Sequence, residues 1–450
     1  MSSTVRLSSD MRKYFIRLEN NAHLPTDTPG HGFSGWLSTS TPNITHYALT
    51  QPSRFAIFRQ LAQSLGHDPS TLLSLMRRDV NSISPNRDSQ TGIFNFPFHN
   101  TPLGNRTNAD ILLASTIAQG HPLTIQLESL VTRVLLTDDA IPRAIGVEYI
   151  QGKSLYRADP RSSKTSPFPA PKAVYARKGV ILSAGVFNTP QLLQLSGIGS
   201  EVELARFNIP VVVDLPGVGT GLKDDNEISL AAVSPVSLAQ ENNCTLGIEP
   251  DPCIELWKEG RGLYTVPGAS HSVHFRSSVA KDGERDVVMW NPPGVFRGFC
   301  PGYSGPQGDD DGTFGFAMVH TQSRNTGGTV KLRTGDARDV PEIQFDFWSK
   351  GAEEDLQALY EGVEFARSVL GRVPEPVGPL REIQPSAATG RDEDPMAVLD
   401  GRFRVRGTKG LRVVDGSALP RVPSPFPIVG LWMVSMRAGE MIVEDAQKSE

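Results

Sequence analysis

Histidine runs out early in this chain. It carries nine, the last is His320, and residues 321 to 450 hold none. That removes the side chain best suited to proton transfer near neutral pH from the whole C-terminal third. Cysteine is scarce too. Cys244, Cys253 and Cys300 are the full set, which forms neither a metal pattern nor a dense disulfide framework. Cys244 and Cys253 can pair or stand as separate thiols. No apolar run approaches the ~20 residues a membrane span needs. Charge of one sign is also missing: 44 Lys and Arg face 49 Asp and Glu, a net of −5. Such a balance gives no field for nucleic acid or an anionic membrane. No internal repeat and no long low-complexity segment interrupts the chain. Met1-Ser-Ser-Thr-Val-Arg is not a signal peptide. Three sequons, at Asn43, Asn105 and Asn243, mildly favour a secretory route, so localisation stays open between cytoplasmic and secretory.

What is present describes a globular protein. At 450 residues, with 38% apolar and 21% charged side chains, the chain can build two domains and a large core. Gly 42 and Pro 35 call for many turns and long irregular connections.

The most informative stretch runs from Gly179 to Gly199. Val180-Ile181-Leu182 is a short apolar run suited to a strand buried on both faces. Ser183-Ala184-Gly185 follows, three small residues where backbone can approach a ligand closely. Asn188 or Thr189 can cap a helix with Pro190 in its first turn, and Gln191 to Leu195 give it an apolar face. Ser196-Gly197-Ile198-Gly199 closes the helix with glycines able to take positive φ.

Other elements follow from periodicity. Helices are expected from Ser9 to Glu19, Ser53 to Leu65, from Ala109 onward, Glu353 to Leu370 and about Ile428 to Val443. Strands are expected at Leu123–Leu127, Val131–Leu136, Arg143–Tyr149, Val211–Val213, Asp286–Trp290, Phe314–Val319, Thr329–Arg333, Glu342–Phe347 and Leu411–Val414. Two glycine clusters imitate a dinucleotide fingerprint. Gly30-His31-Gly32-Phe33-Ser34-Gly35 has no strand before it, and Gly217-Val218-Gly219-Thr220-Gly221 opens no apolar helix, so neither is a phosphate cradle. His271 and His274 have i, i+3 spacing, but their neighbourhood reads as strand and loop, which argues against zinc. Leu411 to Val414 delivers Asp415 and Gly416 to a turn, where a carboxylate and bare backbone can meet a cofactor.

Three blocks together resemble the glucose-methanol-choline (GMC) flavin oxidoreductases. They are Ser183-Ala184-Gly185 with Asn188-Thr189-Pro190-Gln191 and Ser196-Gly197-Ile198-Gly199; Asp394-Pro395-Met396 through Asp400; and Gly410 through Pro420. Pro423-Ser424-Pro425-Phe426-Pro427 is similar to the fungal secondary-metabolism branch of that family. The resemblance implies an α/β fold: an incomplete FAD-binding domain plus a substrate domain with an antiparallel sheet and helices. The expected boundaries are 1–222 for the partial FAD domain, 223–392 for the substrate domain and 393–450 for the returning part of the FAD domain. It implies FAD as cofactor, with Val131, Gly185, Asp415, Gly416, Phe426 and Pro427 beside it, and no metal.

The family's catalytic histidine belongs just before Asp394, where Pro385-Ser386-Ala387-Ala388-Thr389 stands instead. Its second active-site position falls on Phe426, which is neither acid nor base. No catalytic residue is therefore assigned. The family's opening strand and glycine turn are not found before Met11, so the chain reads as a truncated or mis-spliced product. The implied function is oxidation of a CH–OH group on a small metabolite of a fungal pathway. The alternatives are a non-redox cyclase or dehydratase on the same scaffold, or a non-catalytic homologue.

Overall fold

The computed structural model describes residues 8–163, 165–238, 244–245, 248–265, 269–292, 295–296, 309–385, 402–418 and 428–447. Two separate apolar cores organise them. The larger is built on a six-stranded antiparallel sheet. Its strands, in spatial order, are Arg381–Pro385, Asn226–Val233, Thr313–His320, Val287–Trp290, Ser272–Phe275 and Gly92–Phe94. Alternation along the strands decides which face is dry. Ile228, Leu230 and Ala232 lie opposite Met318, Phe316 and Phe314, and Met289 lies opposite Met318 on the next strand. That face packs on Phe55, Phe58 and Leu61 of the Pro52–Ser64 helix and on Ala358, Leu359 and Ala366 of the Ala352–Leu370 helix. Gly362 permits the close approach of the latter helix, since a Cβ there would lie 3.3 Å from Met289 Cε and from Met318 Sδ.

The second core gathers Val134, Ala144, Leu182, Leu192, Leu193, Val218, Leu411 and Val413. It lies under a three-stranded meander of Ser129–Leu136, Ala144–Gln151 and Lys172–Tyr175. Beside it, Val180–Leu182 pairs in parallel with Leu411–Val413. A third sheet, Thr220–Leu222, Gly328–Lys331 and Glu342–Gln344, bridges toward the larger unit. The contact between the second core's Gly185–Leu195 helix and this third sheet with the loop after it is polar. Gln194 Nε2 donates to the Val330 carbonyl and Gln194 Oε1 accepts from Leu332 N–H. Gln191 Nε2 donates to the Asp339 carbonyl, and Arg157 pairs with Asp336 and Asp339. The N-terminal helix, Ser8–Leu18, docks on the C-terminal one, Ile428–Gln447, where Tyr14 and Arg17 both reach Glu440.

Most expected elements are present, with four corrections. Val180–Leu182 is a strand, but Ile181 is 51% exposed and only Leu182 is buried. Leu411–Val413 is its sole strand partner among the described residues, and Ile181, pointing to the side opposite Leu182, lies away from the second core. Leu123–Leu127 forms no strand, and Ile125 and Leu127 are exposed, because no neighbouring segment pairs with it. Val211–Val213 shrinks to a two-residue strand, Val213–Asp214. The helix expected to be capped by Asn188 or Thr189 instead begins at Gly185 and runs to Leu195, with Pro190 inside it.

The glycines of the two false fingerprints serve close packing. A Cβ on Gly32 would lie 1.8 Å from the Ile16 carbonyl, and one on Gly219 would lie 2.1 Å from the Val330 carbonyl. Cys244 and Cys253 form a disulfide, which resolves the choice left open by spacing. Cys300 lies outside the described residues. Among those residues, no helix is long and apolar enough to cross a membrane.

Candidate functional site

The two C-terminal ends of the parallel strand pair create the candidate site. Strand Val180–Leu182 runs into Ser183 and Ala184, and strand Leu411–Val413 runs into Val414 and Asp415. Parallel strands place these two exits side by side, which is where open α/β sheets bind ligands. Ser183 Oγ donates to the Val414 carbonyl at 2.9 Å, and Val414 N–H donates to the Leu182 carbonyl at 3.0 Å. The Gly185–Leu195 helix starts here.

Asp415 holds this junction together. Its Oδ2 accepts from Gly185 N–H at 3.1 Å and from the Thr189 hydroxyl at 2.5 Å. Its Oδ1 accepts from Ser417 N–H at 2.8 Å and from the Ser417 hydroxyl at 2.6 Å. Thr189 Oγ1 in turn accepts from Ala184 N–H at 3.0 Å. The carboxylate is thus occupied by four donors of its own chain, so its work is to brace two segments 230 residues apart.

What the junction offers a ligand is bare backbone. Gly185 has φ +89 and nothing within 4 Å of where a Cβ would stand. Gly416 is bare for a different reason, since its Cβ would lie 2.7 Å from Val186 Cγ1. The Gly185 N–H and the helix start are already capped by the Asp415 carboxylate, so what Gly185 offers is room for close approach rather than a free anion site.

The expected site residues divide accordingly. Gly185, Asp415 and Gly416 come together. Val131 is half-buried, lies opposite Tyr149 and packs its side chain on the second core. Phe426 and Pro427 lie outside the described residues. His271 and His274 are separated by the strand pleat: His271 meets Phe58 at 4.5 Å, while His274 meets Phe94 at 5.2 Å. Among the described residues no group of three or more metal-ligating side chains forms.

Some residues escaped the sequence reading. Thr189 and Ser417 lie inside the blocks that drew attention, but nothing local shows that both serve Asp415. Asp225 and Glu227 are a second case. Burial, and then the Asp224 charge, pushes both carboxyls up to about 7. Carboxyl groups shifted this far toward neutral pH are candidates for proton transfer. Trp36 and His99 both meet Trp432 of the C-terminal helix, at 5.2 and 5.0 Å. Burial, and then the Arg106 charge, lowers the His99 pKa.

The arrangement defines a class: an α/β cofactor-binding unit joined by a polar seam to an antiparallel substrate unit. Two family models, both described as GMC oxidoreductase, match residues 45–227 and 323–434. The chain belongs to the GMC oxidoreductase family. It is 29% identical over 445 residues to an oxygen-dependent choline dehydrogenase of Pseudomonas fluorescens, covering 91% of this chain and 69% of that one. A second choline dehydrogenase, from Pseudomonas putida, is 33% identical over 334 residues, covering 67% of this chain and 53% of that one. Among solved structures, the fold is similar to a formate oxidase of Aspergillus oryzae, with a TM-score of 0.76 and 18% identity over 97% of this chain and 78% of that one. A fungal aryl-alcohol oxidase has a TM-score of 0.66 and 18% identity over 97% of this chain and 79% of that one.

Proposed function

We propose that this chain is an FAD-dependent oxidoreductase acting on the CH–OH group of a small molecule. The observation that carries the reading is the Gly185–Asp415 junction, an open helix start braced by a carboxylate in a chain of the GMC oxidoreductase family. Bound FAD supplies the hydride acceptor. The chain's own part is to present Gly185 and Gly416 to the dinucleotide, with Asp415, Thr189 and Ser417 holding their geometry.

Choline dehydrogenase, formate oxidase and aryl-alcohol oxidase relatives support an alcohol or a similar small oxygenated substrate. A metabolite of a fungal biosynthetic pathway is the finer proposal. It rests on the similarity of Pro423 to Pro427 to that branch, while the choline dehydrogenase relatives named above are bacterial. Purified protein should show flavin absorbance near ~450 nm, and anaerobic addition of the correct alcohol should bleach it. Protein that binds no flavin under reconstitution would overturn the reading.

One observation favours a second reading, a cyclase or dehydratase on the same scaffold. No histidine occurs after His320, and phenylalanine stands at position 426. Product mass separates the two, because a cyclase or dehydratase leaves the oxidation state unchanged.

A further inference from the structure

We propose that Arg78, Arg285 and His67, grouped around Gly92 and the Phe94 ring, form a binding site for a small oxyanion such as inorganic phosphate. The site lies at the free edge of the six-stranded sheet. Among the described residues, Gly92–Phe94 is the outermost strand there and pairs only with Ser272–Phe275. Phe94 is 1% exposed. The Arg78 guanidinium stands 4.2 Å from its centroid, Arg285 stands 5.1 Å from it, and His274 meets its edge at 5.2 Å. A Cβ on Gly92 would lie 3.2 Å from Arg78 Nη1 and 3.4 Å from His67 Nε2. Two cationic or donor heads therefore gather over one bare backbone position.

The neighbouring carboxylates are already committed. Asp88 is held by Arg87 through Nε at 2.7 Å and Nη2 at 2.9 Å. Glu19 and Asp79 clasp His31 at 2.9 and 3.0 Å. Among the described residues, neither Arg78 nor Arg285 has an ion-pair partner. Arg285 Nη1 and His274 Nδ1 are buried with no hydrogen-bond partner. Burial, offset in part by the Asp88 charge and reinforced by Arg87 and Arg78, pushes Arg285 down to about 10.

A ring face attracts a guanidinium but leaves its in-plane N–H groups unsatisfied. A buried unpaired N–H calls for an unseen partner. Water would satisfy the hydrogen bond but add nothing to the partial compensation that Asp88 gives the Arg285 charge. A tetrahedral oxyanion supplies both, and the planar fork of arginine suits it.

The test is a titration of the full-length protein with sodium phosphate against sodium chloride at matched ionic strength, read by calorimetry and by thermal melting. Saturable binding and a rise in Tm specific to phosphate are expected. Arg78→Gln and Arg285→Gln should each weaken phosphate binding by about tenfold or more, while Arg161→Gln, at an exposed site, leaves it unchanged. Arg78→Lys keeps the charge, loses the fork and should fall between. It serves if Arg285→Gln does not fold. An equal response to chloride would overturn the proposal. So would a phosphate response that survives the Arg78 variants, since that anion would sit elsewhere.

Discussion

His31 shows how far one side chain departs from what its position in the sequence suggests. It sits in a false fingerprint, yet its ring is 1% exposed and lies between Glu19 and Asp79. Burial alone would lower its pKa. The hydrogen bonds to Asp79 and Glu19 override that, so the imidazole is raised from 6.5 to about 9. Its folded value exceeds its unfolded one, so its contribution to stability is complete below about 6.5 and disappears as pH rises through 9. Asp225 and Glu227 act in an earlier window. Their carboxyls are raised from 3.8 and 4.5 to about 7, so folding favours the protonated form. Stability from these groups falls as pH climbs from about 4 to 7 and is level above that. Urea unfolding should therefore show declining midpoints from pH 5 toward 9. Asp225→Asn should flatten the first window. His31→Gln should abolish the second and cost about 3–5 kcal/mol, because it leaves two buried carboxylates without their cation.

At the level of elements, the decisive contact joins the start of the Gly185–Leu195 helix to the strand exit at Asp415. Asp415→Ala removes the acceptor for four donors. It should cost about 1–3 kcal/mol and lower the flavin-to-protein absorbance ratio. If that ratio is unchanged, the junction is not the cofactor side. Gly185→Val tests the backbone alone. Open space surrounds the position, so the loss of about 1–3 kcal/mol would come from forcing φ +89 on a branched residue. Both effects can be read from chemical denaturation together with flavin content. Much of this was legible: small residues after an apolar run, and an aspartate after another. The pairing of the two was not, because residues 185 and 415 meet only when their strands lie in parallel.

Across the whole molecule, the second core meets the third sheet at a seam made largely of glutamine and backbone. Gln194 is 4% exposed and satisfies both Val330 and Leu332. Gln194→Leu has nearly the same volume but leaves a carbonyl and an N–H unpaired. It should lower stability by about 1–3 kcal/mol in differential scanning calorimetry, and a neutral result would mean that these bonds do not tie the second core to the third sheet. The larger core also draws on chain from well outside the strand-rich middle. Ile44, Phe58 and Ile93 pack with Phe316 and Leu359, and Gly92–Phe94 closes the sheet. No local pattern announces that assembly.

The sequence by itself determined the elements, since periodicity, turn chemistry and capping act over a few residues. It located the helices of both termini, most of the long strands and the turn at Asp415. Its family motifs also pointed to the flavin side. Tertiary structure decided which faces are covered. Ile181 and Leu182 are equally apolar neighbours, yet one is exposed and the other buried, because burial depends on what the rest of the chain brings alongside. It also decided what the Asp415 carboxylate does. A turn aspartate that looked ready to face a ligand is used up by its neighbour Ser417 and by Gly185 and Thr189, whose donors reach it only once the two distant segments have folded together.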